Sequence, residues 1–245
     1  MLWEYIFKKG RRRFWALLFP FLLVSVFLFG VAPILLSCAK SVSADETERE
    51  RIFILDAGHG GEDCGAIGQN GVYEKDLNLA ITMELGRQLA DLGYTVVYTR
   101  TEDRLLYAEE ENIKGLRKIY DLKNRVKMAE NYTDATFISL HMNSFSDSRY
   151  DGLQVFYSGN SEESYALAAS VQAQVKEKLQ PNNTRSIREG AGLYLMENLF
   201  CPAVLIECGF ISNASECEKL CEKEYQKQLC FAILCGIIDV NTKKN

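Results

Sequence analysis

The sequence predicts an α/β domain, on three observations. Five short apolar runs punctuate residues 51–240 of a 245-residue chain, helix-period segments lie between most of them, and several runs are continuous rather than alternating. A strand covered by helices on both faces has no reason to alternate, whereas a half-open strand would need a polar residue at every second position. The elements follow in order. Ile52–Asp56 is the first strand. Asp76–Leu92 is a helix with Leu77, Ala80, Ile81, Leu85 and Leu89 on one stripe, and Gly93 is its stop. Thr95–Thr99 is the second strand, and Leu116–Ala129 a helix with a charged outer face. Thr136–Leu140 and Leu153–Tyr157 are the third and fourth strands. Ser164–Leu179 is a helix ended by Pro181, Ala203–Glu207 the fifth strand, and Glu224–Val240 the closing helix.

Composition bounds the function. The chain is 47% hydrophobic and 25% charged, which excludes a mainly disordered chain and a collagen-like one. The formal charge of −5 is uneven: residues 1–44 hold six of the 28 cations and one of the 33 anions, leaving 22 cations against 32 anions in the body. A body that acidic predicts no nucleic-acid partner, because phosphate binding needs cationic surface. The first 44 residues read as a signal or membrane anchor. Lys8–Arg13 is a basic cluster, and Phe14–Leu36 is an apolar run long enough to span a bilayer as a hydrophobic helix, interrupted only by Pro20, Ser25, Gly30 and Pro33. The cationic flank stays in the cytoplasm, so the body is expected outside the membrane. Val42-Ser43-Ala44 resembles a cleavage site, but the length of the run favours an uncleaved or slowly cleaved anchor. Residues 45–50 form a tether, residues 51–240 one catalytic domain, and residues 241–245 a polar tail.

Of eight cysteines, Cys38 lies in the targeting segment and seven remain, an odd number that argues against a disulfide framework. Cys208, Cys217, Cys221, Cys230 and Cys235 lie in apolar or helix-like stretches, where thiols pack as small hydrophobes. The chemistry gathers elsewhere. The chain has two histidines, His59 and His141, and each directly follows a predicted buried strand. In open α/β sheets, functional residues collect at such carboxyl ends. Glu74 opens the first helix, where a first-turn acid already has a reason to be. Glu207 ends an apolar strand, where desolvation raises a carboxyl pKa toward the range of proton transfer. Two histidines and Glu74 make a three-ligand zinc set with an open fourth position. Glu207 then serves as the group that moves the proton of an attacking water. The ligands are 15 and 67 residues apart and no HExxH occurs, so spacing alone does not identify such a site.

At these residues the chain resembles the zinc-dependent N-acetylmuramoyl-L-alanine amidases of bacterial cell walls. The resemblance runs from Arg51 to about Asp239 and rests on five segments in the family's order. They are Leu55-Asp56-Ala57-Gly58-His59-Gly60-Gly61, Glu74-Lys75-Asp76, Thr99-Arg100, Ser139-Leu140-His141-Met142-Asn143-Ser144 and Glu207-Cys208-Gly209-Phe210-Ile211-Ser212-Asn213. It implies a twisted, mostly parallel central sheet flanked by helices. It also implies that His59, Glu74 and His141 bind one zinc ion and that Glu207 is the catalytic acid/base. The implied reaction is hydrolysis of the amide between the muramic-acid lactyl group and L-alanine of the peptidoglycan stem. The single domain, the N-terminal hydrophobic segment and the stretch from Thr184 to Met196 are most similar to the sporulation- and germination-associated subgroup, which prepares cortex for muramic-δ-lactam formation. Ala57 stands where many relatives have proline, and Cys64 beside the site is unusual.

Two other readings use the same residues. A zinc peptidase cutting within the stem peptide needs the same ligand set with a different groove. A non-catalytic wall-binding protein needs none of the four, yet all four are present. Peptidoglycan is the expected polymeric partner, the membrane a second one through the N-terminal segment, and an activating or adaptor protein a third.

Overall fold

The computed structural model describes residues 51–132 and 134–242. The elements are β1 (Ile52–Ala57), α1 (Glu74–Asp91), β2 (Thr95–Tyr98), α2 (Arg117–Ala129), β3 (Ala135–Asn143), β4 (Gln154–Tyr157) and α3 (Glu162–Lys178). They continue with β5 (Arg188–Glu189), α4 (Tyr194–Asn198), β6 (Ala203–Phe210), α5 (Ala214–Cys221) and α6 (Lys223–Thr242). Six strands form one sheet in the order β2-β1-β3-β6-β4-β5. All neighbours are parallel except β4 and β6. This is the α/β fold expected, with a mostly parallel sheet between helices.

The continuous apolar strands have the two-sided cover that their pattern requires. Phe53, Leu55, Leu140, Val155 and Ile206 point to one face and pack with Leu77, Ile81, Leu85 and Leu89 of α1, Val171 of α3 and Ile233 of α6. Ile54, Phe137 and Leu205 point to the other face and pack with Val126 and Ala129 of α2 and Leu195 and Met196 of α4. Each buried aliphatic side chain contributes roughly 1.5–3 kcal/mol by leaving water. The second face is the thinner one, covered by one helix of 13 residues and one of five, and the functional site opens there.

Three expectations change. β5 and α4 were not anticipated: β5 is two exposed residues at the sheet edge, and α4 is too short to display a period. β3 and β6 run three residues past their apolar cores, so His141 and Glu207 sit within strands rather than after or at the end of them. The charge on α2 is not all outward, because Asp121 and Arg125 are buried. The seven cysteines of the domain are free thiols. The hydrophobic segment Phe14–Leu36, the tether and the end of the tail lie outside the described residues. Among the described residues no helix is long and apolar enough to cross a membrane.

Candidate active site

Strand parity and register bring the predicted residues together. In β3, Phe137, Ser139 and His141 share a face, and His141 pairs directly with Glu207 of β6. Their side chains therefore project side by side over the thinly covered face. β1 ends at Ala57, and the turn beyond it delivers His59. Gly58 lies so close beneath the His141 ring that a Cβ there would fall 2.1 Å from its Nε2. His59 itself takes φ +62°, and among the described residues it is the one non-glycine residue with positive φ. That backbone costs about 1–3 kcal/mol and persists only where neighbours hold it.

Two buried arginines do the holding. Arg125 donates through Nη1 to the Ala57 carbonyl at 2.8 Å and through Nη2 to the His59 carbonyl at 2.9 Å. Arg100 donates through Nε to the Ala57 carbonyl at 2.9 Å and through Nη2 to the Gly58 carbonyl at 3.1 Å. Each arginine is only 1% exposed, so it must be compensated. For Arg125 the compensation is an ion pair with Asp56, wholly buried in β1, and a second with Asp121 at 2.9 Å one helical turn away. Burial pushes the Asp56 carboxyl up, but Arg125, Ser139 and Thr99 outweigh it and hold its pKa below the usual range.

Glu74 is the first residue of α1 and reaches back into the same space. Its Oε1 lies 3.2 Å from His59 Nε2 and 2.9 Å from His141 Nδ1. One ligand atom from each of His59, Glu74 and His141 lies within 4.8 Å of the others. The rest of the Glu74 carboxylate is taken by protein: the Met142 amide donates to Oε1 at 3.1 Å and the Ala66 amide to Oε2 at 2.9 Å. Gly65 keeps that second contact open, since a Cβ there would lie 2.5 Å from Glu74 Oε2.

Asp63 was not anticipated as a site residue. Its Oδ2 lies 2.8 Å from His59 Nδ1 and 2.9 Å from Lys118 Nζ. Burial raises its pKa, but His59 and Lys118 overcome this and hold it below the usual range. An ionised carboxylate only accepts, so Nδ1 carries the proton and Nε2 is left facing Glu74. That is the orientation in which an outer carboxylate prepares a histidine to ligate. Without a cation, a proton on His59 balances the Glu74 carboxylate. Burial disfavours charge on His59, yet the hydrogen bonds its ring donates to the Asp63 and Glu74 carboxylates prevail and raise its pKa to about 9. Burial likewise disfavours charge on Glu74, and the two histidines reverse the sign and push its pKa well down. A lone pair of each imidazole and a carboxylate converging on one point is a donor set that fits a divalent cation. Cys64 is not part of it, and its Sγ donates to the Gly65 carbonyl instead.

Glu207 stands beside this group. Its Oε2 is buried without a hydrogen-bond partner. Burial is the main reason its pKa is pushed up to about 7, with Glu74 adding to it and the histidines opposing. A cleft of about 280 Å³ opens from His59 and His141 along the thin face, walled by Leu122, Leu193, Tyr194 and Leu205 with Lys118 at its side. The four residues read from the sequence thus meet in one place.

Comparison with known proteins places the chain in a family. A family profile described as N-acetylmuramoyl-L-alanine amidase (Amidase_3) matches residues 53–239. The germination-specific N-acetylmuramoyl-L-alanine amidase of Bacillus subtilis (strain 168) is 36% identical over 194 residues, 79% of this chain and 81% of that one. Among solved structures, the CwlD amidase of Clostridioides difficile in complex with the GerS lipoprotein is 38% identical. It superposes with a TM-score of 0.75 over 78% of this chain and 98% of the other. The catalytic domain of CwlV, an N-acetylmuramoyl-L-alanine amidase from Bacillus (Paenibacillus) polymyxa var. colistinus, is 31% identical with a TM-score of 0.65, covering 78% and 98%. On its fold, its site and these matches, the chain belongs to the N-acetylmuramoyl-L-alanine amidase family.

Proposed function

We propose that this chain hydrolyses the amide between the muramic-acid lactyl group and L-alanine of peptidoglycan, with one zinc ion (Zn2+) held by His59, Glu74 and His141 and with Glu207 as catalytic acid/base. The observation that carries the reading is the convergence of three ligand atoms within 4.8 Å beside a buried carboxyl in direct strand register with one of them. A zinc ion, when bound, supplies positive charge that polarises the scissile carbonyl and lowers the pKa of the attacking water toward about 7. The chain's own groups do the rest. Glu207 takes the proton of the attacking water and returns it to the departing L-alanine nitrogen. Asp63 keeps His59 in one tautomer, and Arg100 and Arg125 hold the strained turn that presents it. Metal analysis joined to product identification tests the reading: one zinc per chain and free L-alanyl peptides are expected, while shortened stems still attached to sugar would refute it. His141→Ala should lower zinc content well below one per chain.

Zinc binding should also tighten as pH rises from 6 to 9. His59, with its pKa raised to about 9 in the ion-free protein, must lose a proton to bind. Calorimetry in buffers of different ionisation enthalpy should therefore record proton release at pH 7, and a pH-independent dissociation constant would contradict it.

The name of the Bacillus subtilis relative supports a role in germination, and we extend that role to maturation of the spore cortex. The Clostridioides difficile relative was solved with a lipoprotein, which supports an adaptor or activator for this chain too. Residues 1–44 as a signal or membrane anchor, 45–50 as a tether, 51–240 as the catalytic domain and 241–245 as a tail would hold the enzyme outside the membrane, facing its polymer.

A further inference from the structure

The strand edge that carries His141 and Glu207 continues sideways. Gln154, the first residue of β4, is the antiparallel partner of Glu207. Paired residues point to the same face, so the Gln154 side chain projects beside the Glu207 carboxyl, one strand spacing of roughly 4.8 Å away. The loop entering β5, the next strand out, brings Arg185 alongside. Arg185 Nη1 donates to Gln154 Oε1 at 3.1 Å, and its Nε donates to the Asp151 carbonyl at 2.8 Å. Its guanidinium lies 4.3 Å from the centroid of the Phe210 ring and 5.5 Å from that of Tyr150. Those two rings stack on each other at 6.1 Å, and Phe145 meets Tyr150 edge-on at 5.1 Å.

Arg185 is half-buried and firmly seated, with no acid among the described residues to pair with. Fixing its side chain costs up to about 2 kcal/mol of rotamer entropy. Here the seat is two aromatic faces and two neutral acceptors. Among the described residues no Asp or Glu side chain pairs with Arg185, and no hydrogen bond uses its Nη2. A planar guanidinium presented in this way is suited to a carboxylate, which it grips through paired N–H donors.

The anion's source follows from the substrate's chemistry. N-acetylated sugars are neutral, and the lactyl carboxyl is consumed in the amide that is cleaved. A negative charge close to that amide therefore belongs to the peptide. Arg185 lies up to two strand spacings, roughly 10 Å, from Glu207 across the sheet. An extended peptide covers about 3.3–3.6 Å per residue, so the charge sits within two to three residues of the cleaved bond. We propose that Arg185, held by Gln154, Phe210 and Tyr150, is a substrate-binding residue that receives the free α-carboxylate of the second residue of the stem peptide. This inference rests on the amidase reading above and deepens it.

The test uses the full chain, zinc-loaded, and two synthetic N-acetylmuramoyl tripeptides with amidated C-termini. They differ only in whether the second residue carries a free α-carboxylate or its carboxamide. The carboxylate probe should have about a tenfold higher kcat/KM, and the E207Q protein should bind it about tenfold more tightly by titration calorimetry, as expected for one charge-assisted pair. R185Q should lower kcat/KM on the carboxylate probe about tenfold more than on the carboxamide probe. R185K, which keeps charge without the fork, should fall between. Equal handling of both probes by the parent protein would overturn the proposal without calling on any variant. An equal loss on both probes in R185Q would do the same, by assigning Arg185 a merely structural role. If the parent neither binds nor cleaves either probe, the amidase reading itself fails, and that outcome is distinguishable from the others.

Discussion

Replacing Glu207 by glutamine is expected to lower kcat by about a thousandfold, in the range that loss of a positioned acid/base produces, while zinc content stays at one per chain. The same change should stabilise the metal-free protein above neutral pH. Glu207 has its pKa raised to about 7 by burial, against 4.5 for an ordinary glutamate. A raised carboxyl favours the folded state below pH 4.5, where it is neutral in both states. That advantage is lost as pH rises through 7, because the unfolded chain ionises freely and the folded one does so at a cost. A shift of that size is worth up to roughly 3 kcal/mol. The glutamine variant should therefore be more stable than its parent at pH 8 and no more stable at pH 4, by denaturant unfolding of both in chelator. Retained turnover would remove Glu207 from the mechanism, and an equal stability difference at both pH values would deny that its buried charge is the cause.

Replacing Arg125 by methionine is expected to cost about 3–5 kcal/mol, because it leaves the fully buried Asp56 without its ion pair. For a domain of this size that is a fall of about 10 °C in Tm. The loss should depend on pH. Asp56 is held below its ordinary pKa, so its contribution is present above pH 3.8 and fades as pH falls below that value. The parent and the variant should accordingly converge in strong acid. Asp56→Asn together with R125M should recover part of the loss, since the orphaned charge is then gone. The functional cost is separate. The variant loses the donors to the Ala57 and His59 carbonyls, so the positive-φ turn at His59 relaxes and zinc affinity drops. Thermal scans with and without zinc measure both effects. A Tm within about 2 °C of the parent would show that the pair is dispensable.

Much of this site can be read from the residue string. Local composition marks Ile52–Asp56, Thr136–Leu140 and Ala203–Glu207 as buried strands, and the only two histidines and a carboxylate lie at their ends. A strand needs only its own few residues to declare itself, and a parallel sheet then gathers the carboxyl ends at one edge. The supporting residues are less legible. Asp63 is one acid among 33, and nothing local distinguishes it from a solvated loop residue. Asp121 and Arg125 are spaced as an ordinary exposed helix pair, and the same spacing serves equally well turned inward. β5 has two residues and no apolar signature, so only its pairing with β4 defines it.

By itself, then, the sequence determined the layering of helices on a sheet and the identity of the groups capable of the chemistry, because periodicity and residue type are local properties. Only the tertiary structure decided that Glu74 meets both imidazoles and that Glu207 stands in register with His141. It alone turned Arg125 inward to clamp a strained turn and set Arg185 across the sheet from the acid. Those relations join residues far apart in the chain. They depend on strand order, register and burial, which arise only when the distant segments pack together and exclude water.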